Sequence, residues 1–176
     1  LALRCALQAV AAGSVGEVLS PAYLDAMRGI LRHGTLDAAF KELVLTLPSE
    51  SYIAEQLEVV DPQQIHTVRD AMRQQMANAL ADDWQQAFEA NQNTGAFRPD
   101  PVSGGKRALA GLALGMLCLG ANSDVWPGKT FERFKQAGNM TDRLAALAAL
   151  VACAHPLANE ALLRFHAMFK NDELVL

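Results

Sequence analysis

The 176-residue sequence has no sustained alternation of apolar and polar residues, and aromatic residues make up only 6% of it. Both lacks argue against a sheet-based core. Basic residues are outnumbered as well. The formal net charge of −4 leaves no basic surface for nucleic acid. The longest uncharged apolar run covers residues 108–121, short of the roughly 20 residues that span a bilayer. It is expected to be a core helix. No basic segment followed by a cleavage site marks a signal peptide. The cysteines Cys5, Cys118 and Cys153 are odd in number and far apart. That argues against a disulfide framework and favours buried free thiols in a reducing cytoplasm. No fixed internal repeat of 34 or 40 residues is present.

Chemical motifs are equally scarce. The histidines are His33, His66, His155 and His166, and none is followed by glutamate. The H-E-x-x-H pattern, with its two zinc ligands and general base, is therefore missing. His66 shares a helical face with Asp70, and His166 with Lys170, but one histidine and one carboxylate make a poor metal site. Ser103-Gly104-Gly105-Lys106-Arg107 could gather backbone N–H groups and two cations around an anion at a helix start. It lacks the G-x-x-x-x-G-K-[ST] pattern and is expected to be a capped turn bearing a solvated basic pair. Glu17, Asp25, Glu50 and Glu55 fall on helix surfaces without evident pairing. Neither Cys118 nor Cys153 has an adjacent basic residue that would make it a nucleophile. The expected site inventory is thus empty: catalytic none, cofactor-binding none, metal none.

What is present in excess is alanine and leucine, and hydrophobic residues reach 51%. These are helix formers. The strongest segment is residues 139–155, NMTDRLAALAALVACAH. Thr141 suits the N-cap and Asp142 the positive end of the helix dipole. Leu144, Leu147, Val151 and Ala154 recur at helical spacing, the other faces are apolar too, and Pro156 ends the run. This segment is expected to be buried on most sides, as the centre of the fold. Gly111, Gly115 and Gly120 give a G-x-x-x-G pattern that predicts close helix–helix approach.

Along the chain, a helix over residues 1–12 ends at Gly13, and a second covers 17–31, whole or interrupted near Ser20-Pro21, with Tyr23, Met27, Ile30 and Leu31 on one face. Thr35 caps a third over 36–45 with Phe40, Leu43 and Val44 inward. Ser49 caps 50–58. Asp61-Pro62 opens a long helix with Ile65, Val68, Met72, Met76 and Leu80 in one stripe, running to Ala90 or breaking at Asp82. Residues 91–102 form a loop. Ser103 caps 104–119, Trp126-Pro127-Gly128 makes a turn before 130–137, and 157–169 follows the central helix. Asp172 resembles one more cap. The fold class is all-α: an irregular α-solenoid-like array of about eight to ten antiparallel helices in a single domain, 1–176.

Several landmarks occur together in a familiar order: Leu47-Pro48-Ser49-Glu50, Asp61-Pro62-Gln63, Gly105-Lys106-Arg107, Gly138-Asn139-Met140-Thr141-Asp142 followed by Leu144-Ala145-Ala146-Leu147, and Lys170–Leu176. In that order the sequence resembles the C-terminal helical domain of bacterial aminopeptidase N, a zinc metallopeptidase family. The resemblance implies a fragment of a longer enzyme, non-catalytic itself, that caps the catalytic domain and limits access for peptides. No cofactor is then expected in this segment, and zinc is expected in the parent. The implied partners are the catalytic domain of the same chain and peptide substrates, with no nucleic acid and no membrane. The segment 138–142 does not match the family's G-x-M-E-N loop, because the glutamate is missing. The lack of an initiating methionine and the apolar end suggest that both termini are cuts. An independent helical-repeat scaffold that binds proteins on a concave face is the alternative.

Overall fold

A computed structural model describes residues 1–120 and 125–175. Ala121, at the end of the long apolar run, and Leu176 lie outside the described residues. Ten helices and no strand occur among those described: α1 (Ala2–Ala12), α2 (Pro21–Arg32), α3 (Ala38–Leu45), α4 (Glu50–Ala54), α5 (Pro62–Ala79), α6 (Ala81–Ala90), α7 (Pro101–Leu119), α8 (Val125–Gln136), α9 (Met140–Ala152) and α10 (Leu157–Phe169).

Their starts are chemically specified. Ser20, Asp37, Ser49, Asp61, Asp100 and Asn139 each accept a hydrogen bond from the backbone N–H three residues on, which satisfies one orphan donor of the first turn. Three of these caps differ from the sequence expectation. Asp37 caps α3 instead of Thr35, Asp100 caps α7 instead of Ser103, and Asn139 caps α9 instead of Thr141. At α7 and α9 a better acceptor stood two or three residues upstream. α7 then gains Pro101 at its first position, where the missing N–H costs nothing. Trp126-Pro127-Gly128 is not a turn but lies in the first turn of α8, again where proline is tolerated.

The long amphipathic segment after Asp61 does break, at Leu80 and not Asp82. Leu80 sits at φ −120°, ψ 25°. Trp84 then folds back so that its indole Nε1 donates at 3.1 Å to the Met76 carbonyl, which also accepts the Leu80 N–H at the end of α5. Arg32 Nε and Arg28 Nε reach the buried Asp83 carboxylate at 2.5 and 3.4 Å and tie α2 to α6.

The organising helix is α7. It packs against α3, α5, α6, α8 and α9 and divides two hydrophobic cores. Its Leu109, Ala113, Met116 and Leu117 join the core made by α1 to α6, whereas Leu114 and Cys118 join a second core with Phe131, Phe134, Ala146, Leu147 and Leu150. By length and composition α7 could cross a membrane, but its sides are taken by five other helices. The expectation that residues 139–155 form a centre buried on most sides is overturned. α9 buries Ala146, Leu147, Ala149 and Leu150 only, and Leu144 and Val151 are half exposed. Leu147 faces inward as expected; Leu144 does not, because α9 has helices on one side alone. Phe40 and Leu43 of α3 also face outward.

Close helix approach occurs, at a different glycine. A Cβ on Gly105 would lie 2.9 Å from both the Cβ and the backbone N of Ala39, so α3 crosses α7 with no room for a side chain. At Gly111 the nearest atom would be Ala145 Cβ at 3.4 Å, and at Gly115 nothing lies within 4 Å. The G-x-x-x-G pair thus marks no tight crossing.

Candidate functional site

The residues singled out by sequence do not converge. His66 Nδ1 is 2.8 Å from Glu50, not paired with Asp70, which instead meets Arg73 at 3.2 Å. His155 Nδ1 accepts from the Leu157 N–H. His33 Nδ1 faces Thr35. Among the described residues no group of three or more His, Cys, Asp or Glu is placed to hold a metal ion. Asp25 pairs with Arg28. Cys118 is buried against Thr130, Sγ to Oγ1 3.1 Å, and burial pushes its thiol up from 9.0 to about 11, so it is a poor nucleophile near neutral pH.

The Ser103–Arg107 cluster is dismantled by the earlier helix start. Ser103 N–H and Oγ both donate to the Asp100 carboxylate, at 3.0 and 2.9 Å. These bonds, with Arg98 beside it, hold the Asp100 carboxyl below its usual range. A carboxylate therefore occupies the position proposed for an anion. Gly105 is committed to α3. Arg107 is left facing a space, and that space is a cleft.

The cleft, of about 800 Å³, opens where the two cores meet, between the end of α6, the 91–100 loop, the start of α7, α8 and the α8–α9 turn. Phe88 and Trp126 meet there edge to face, centroids 5.6 Å apart. Both pack against both cores, so the pair closes the seam. Cations sit over the rings: Lys129 is 4.7 Å from the Trp126 centroid, Arg133 is 5.3 Å from that of Phe88, and Arg107 is 4.4 Å from that of Phe97 on the loop. Each such contact contributes about 0.5–2 kcal/mol, depending on solvation. The loop is held in place by Asn93 donating to the Ser103 carbonyl at 3.0 Å and by Arg133 donating to Gln92 Oε1 at 2.7 Å. It turns at Gly95, whose φ of +93° suits glycine alone.

Composition and motif scanning did not find this cleft. The signal was present in spacing: Trp126, Lys129 and Arg133 recur at three and four residues, one helical stripe. A Trp-Pro-Gly turn at the head of α8 would have hidden that stripe. Phe97 and Arg107 lie on separate elements and carry no shared local pattern.

The family model described as "Domain of unknown function (DUF3458_C) ARM repeats" matches residues 1–176. Aminopeptidase N of Caulobacter vibrioides is 32% identical over 166 residues, covering 94% of this chain and 19% of that protein. Aminopeptidase N of Escherichia coli K12 is 33% identical over 171 residues, with 95% and 19% covered. The chain thus spans about a fifth of the length of the curated relatives it matches. The crystal structure of Legionella pneumophila aminopeptidase A in complex with aspartic acid superposes with a TM-score of 0.76 at 22% identity, over 97% of this chain and 21% of that one. That likeness supports the all-α array.

Proposed function

Because the chain belongs to the DUF3458_C ARM-repeat family over its whole length, we propose that it serves as the non-catalytic, C-terminal helical segment of a larger aminopeptidase N-like zinc exopeptidase. The parent would release N-terminal amino acids from peptides. The observation that carries this is the match of 94–95% of the chain to two aminopeptidases N, each only 19% covered.

The segment's work is steric: it caps the catalytic domain of the same polypeptide and restricts which peptides enter. In support, α9 and α10 leave the apolar Leu144, Val151, Leu163 and Met168 exposed, and exposed apolar surface on neighbouring helices suits a contact with another part of the polypeptide. Zinc does not fit the residues of this chain, since none of those described cluster as ligands. In the parent, ion and reacting groups would come from elsewhere in the polypeptide, and no step passes through this segment. The three unpaired thiols suit a cytoplasmic parent. Neither a membrane nor a nucleic acid is needed as a partner.

The test uses the complete polypeptide that carries this chain, with Leu144→Asp and Leu163→Asp combined. Hydrolysis of a small aminoacyl-arylamide should persist, while the relative rate on longer peptides shifts several-fold. An unchanged ratio would remove the gating role. A wild-type polypeptide with no aminopeptidase activity would remove the parent assignment altogether.

A further inference from the structure

Four cations line the seam cleft, and two of them already have carboxylate partners. Arg98 Nε lies 3.1 Å from Asp100, and Arg133 lies 3.5 Å from Asp142. Arg107 and Lys129 have no carboxylate partner among the described residues; each has only a ring beneath it. A guanidinium stacked on a ring still directs its N–H groups outward at its edge. Two of the acids nearby are paired with cations: Asp142 with Arg133, and Glu132 with Lys135 at 2.6 Å, whereas Glu89 accepts only from the neutral Gln85 amide at 2.9 Å and keeps its charge. Among the described residues two cations, Arg107 and Lys129, thus stand against one unneutralised carboxylate, Glu89, so the charge left over on the cleft wall is positive, and it adjoins an apolar edge-to-face pair, Phe88 and Trp126.

We infer that the seam cleft binds the free C-terminal carboxylate of a peptide, held by Arg107 and Lys129, with the last side chain laid against Phe88 and Trp126. An arginine fork pairs with both oxygens of a planar carboxylate. A cleft of about 800 Å³ takes a few residues and not a folded domain. The carboxylate follows from the unpaired cations. The choice of a peptide as its bearer rests on the peptidase reading above. Inorganic phosphate shares the two-cation chemistry and is included as a competitor.

The experiment measures fluorescence anisotropy of a labelled, N-acetylated pentapeptide ending in leucine, titrated with the complete polypeptide that carries this chain. The acetyl group blocks removal of the first residue. Arg107→Gln and Lys129→Gln should each weaken binding about tenfold or more, as loss of a charge-assisted hydrogen bond does. Amidation of the peptide C-terminus should weaken it as much, and Lys170→Gln, a distant exposed cation, should leave it within about twofold of wild type. Phe97→Leu, which removes the ring under Arg107, should weaken it by a smaller factor. Equal binding of acid and amide, or variants indistinguishable from wild type, would overturn the inference. Displacement by millimolar phosphate at constant ionic strength would overturn the peptide assignment in favour of a free anion. An active peptidase that does not distinguish acid from amide sinks only this inference; an inactive polypeptide that does so sinks only the parent assignment.

Discussion

Gly105→Ala and Gly115→Ala place the same methyl group in the same helix and should move stability in opposite directions. Both positions lie in the interior of α7, where replacing glycine with alanine ordinarily stabilises by about 0.5–1 kcal/mol. At Gly115 the new Cβ meets nothing within 4 Å, so the full gain should appear. At Gly105 it would sit 2.9 Å from both Ala39 Cβ and Ala39 N, and 3.2 Å from Ala39 Cα. Two of those atoms are backbone, so no rotamer change relieves the contact and α3 must move. Overpacking of this kind costs about 1–3 kcal/mol. The propensity gain is common to both variants, so the difference between them isolates the steric term. For a chain of this size that difference corresponds to a melting-temperature gap of about 2–12 °C. Thermal and urea unfolding of the two variants beside wild type measures it. Ala39→Gly should rescue Gly105→Ala only in part, because the Ala39 backbone N remains. A Gly105→Ala protein as stable as Gly115→Ala would refute the crossing of α3 over α7.

Leu147→Asp should yield unfolded or insoluble protein, since an unpaired buried carboxylate costs several kcal/mol, while Leu144→Asp on the exposed side of α9 should melt close to wild type; solubility and circular dichroism separate them. Asn139→Ala should cost about 1 kcal/mol, because Asn139 both accepts from the Asp142 N–H and donates to its carboxylate, whereas Thr141→Ala should be near neutral in a denaturant titration. Cys118 has a folded pKa of about 11, above its ordinary 9.0, so its contribution is complete below pH 9 and is lost as pH rises from 9 to about 11. Denaturation across that window should show stability falling, and Cys118→Ala should remove that part of the slope. Mass spectrometry after brief alkylation at pH 8 should find Cys5 and Cys153, both partly exposed, labelled ahead of Cys118.

Helix number and class were legible because they depend on local chemistry. Asp61-Pro62 and Ser49 cap where the sequence places them, and the Ile65–Met76 stripe is buried. Legibility ended where two local signals competed. Thr141 and Asn139 are both good caps, and only the chain's approach decides between them. Burial was misread on α9 for a related reason. An alanine-rich helix looks apolar all round whether or not neighbours cover it, so Leu144 and Leu147 carry the same local signal. α7 was read as an ordinary core helix for the opposite reason: its glycines and small residues hide how many partners it serves. The cleft was the least legible part, because Phe88, Phe97, Arg107 and Trp126 come from four different segments.

The placement of α7 between two cores has a mechanical consequence. Successive residues on a helix are rotated by about 100°, so turning α7 by one position would carry the Leu114–Cys118 stripe out of one core and the Leu109–Ala113 stripe out of its own. Rotation about the axis is therefore blocked from two sides at once. Sliding along the axis is blocked by Gly105 seated on Ala39. With neither a roll nor a piston stroke available, α7 acts as a stiff spar. A load applied to the outer faces of α9 and α10 passes through it to α3 and α5, and the array moves as one body.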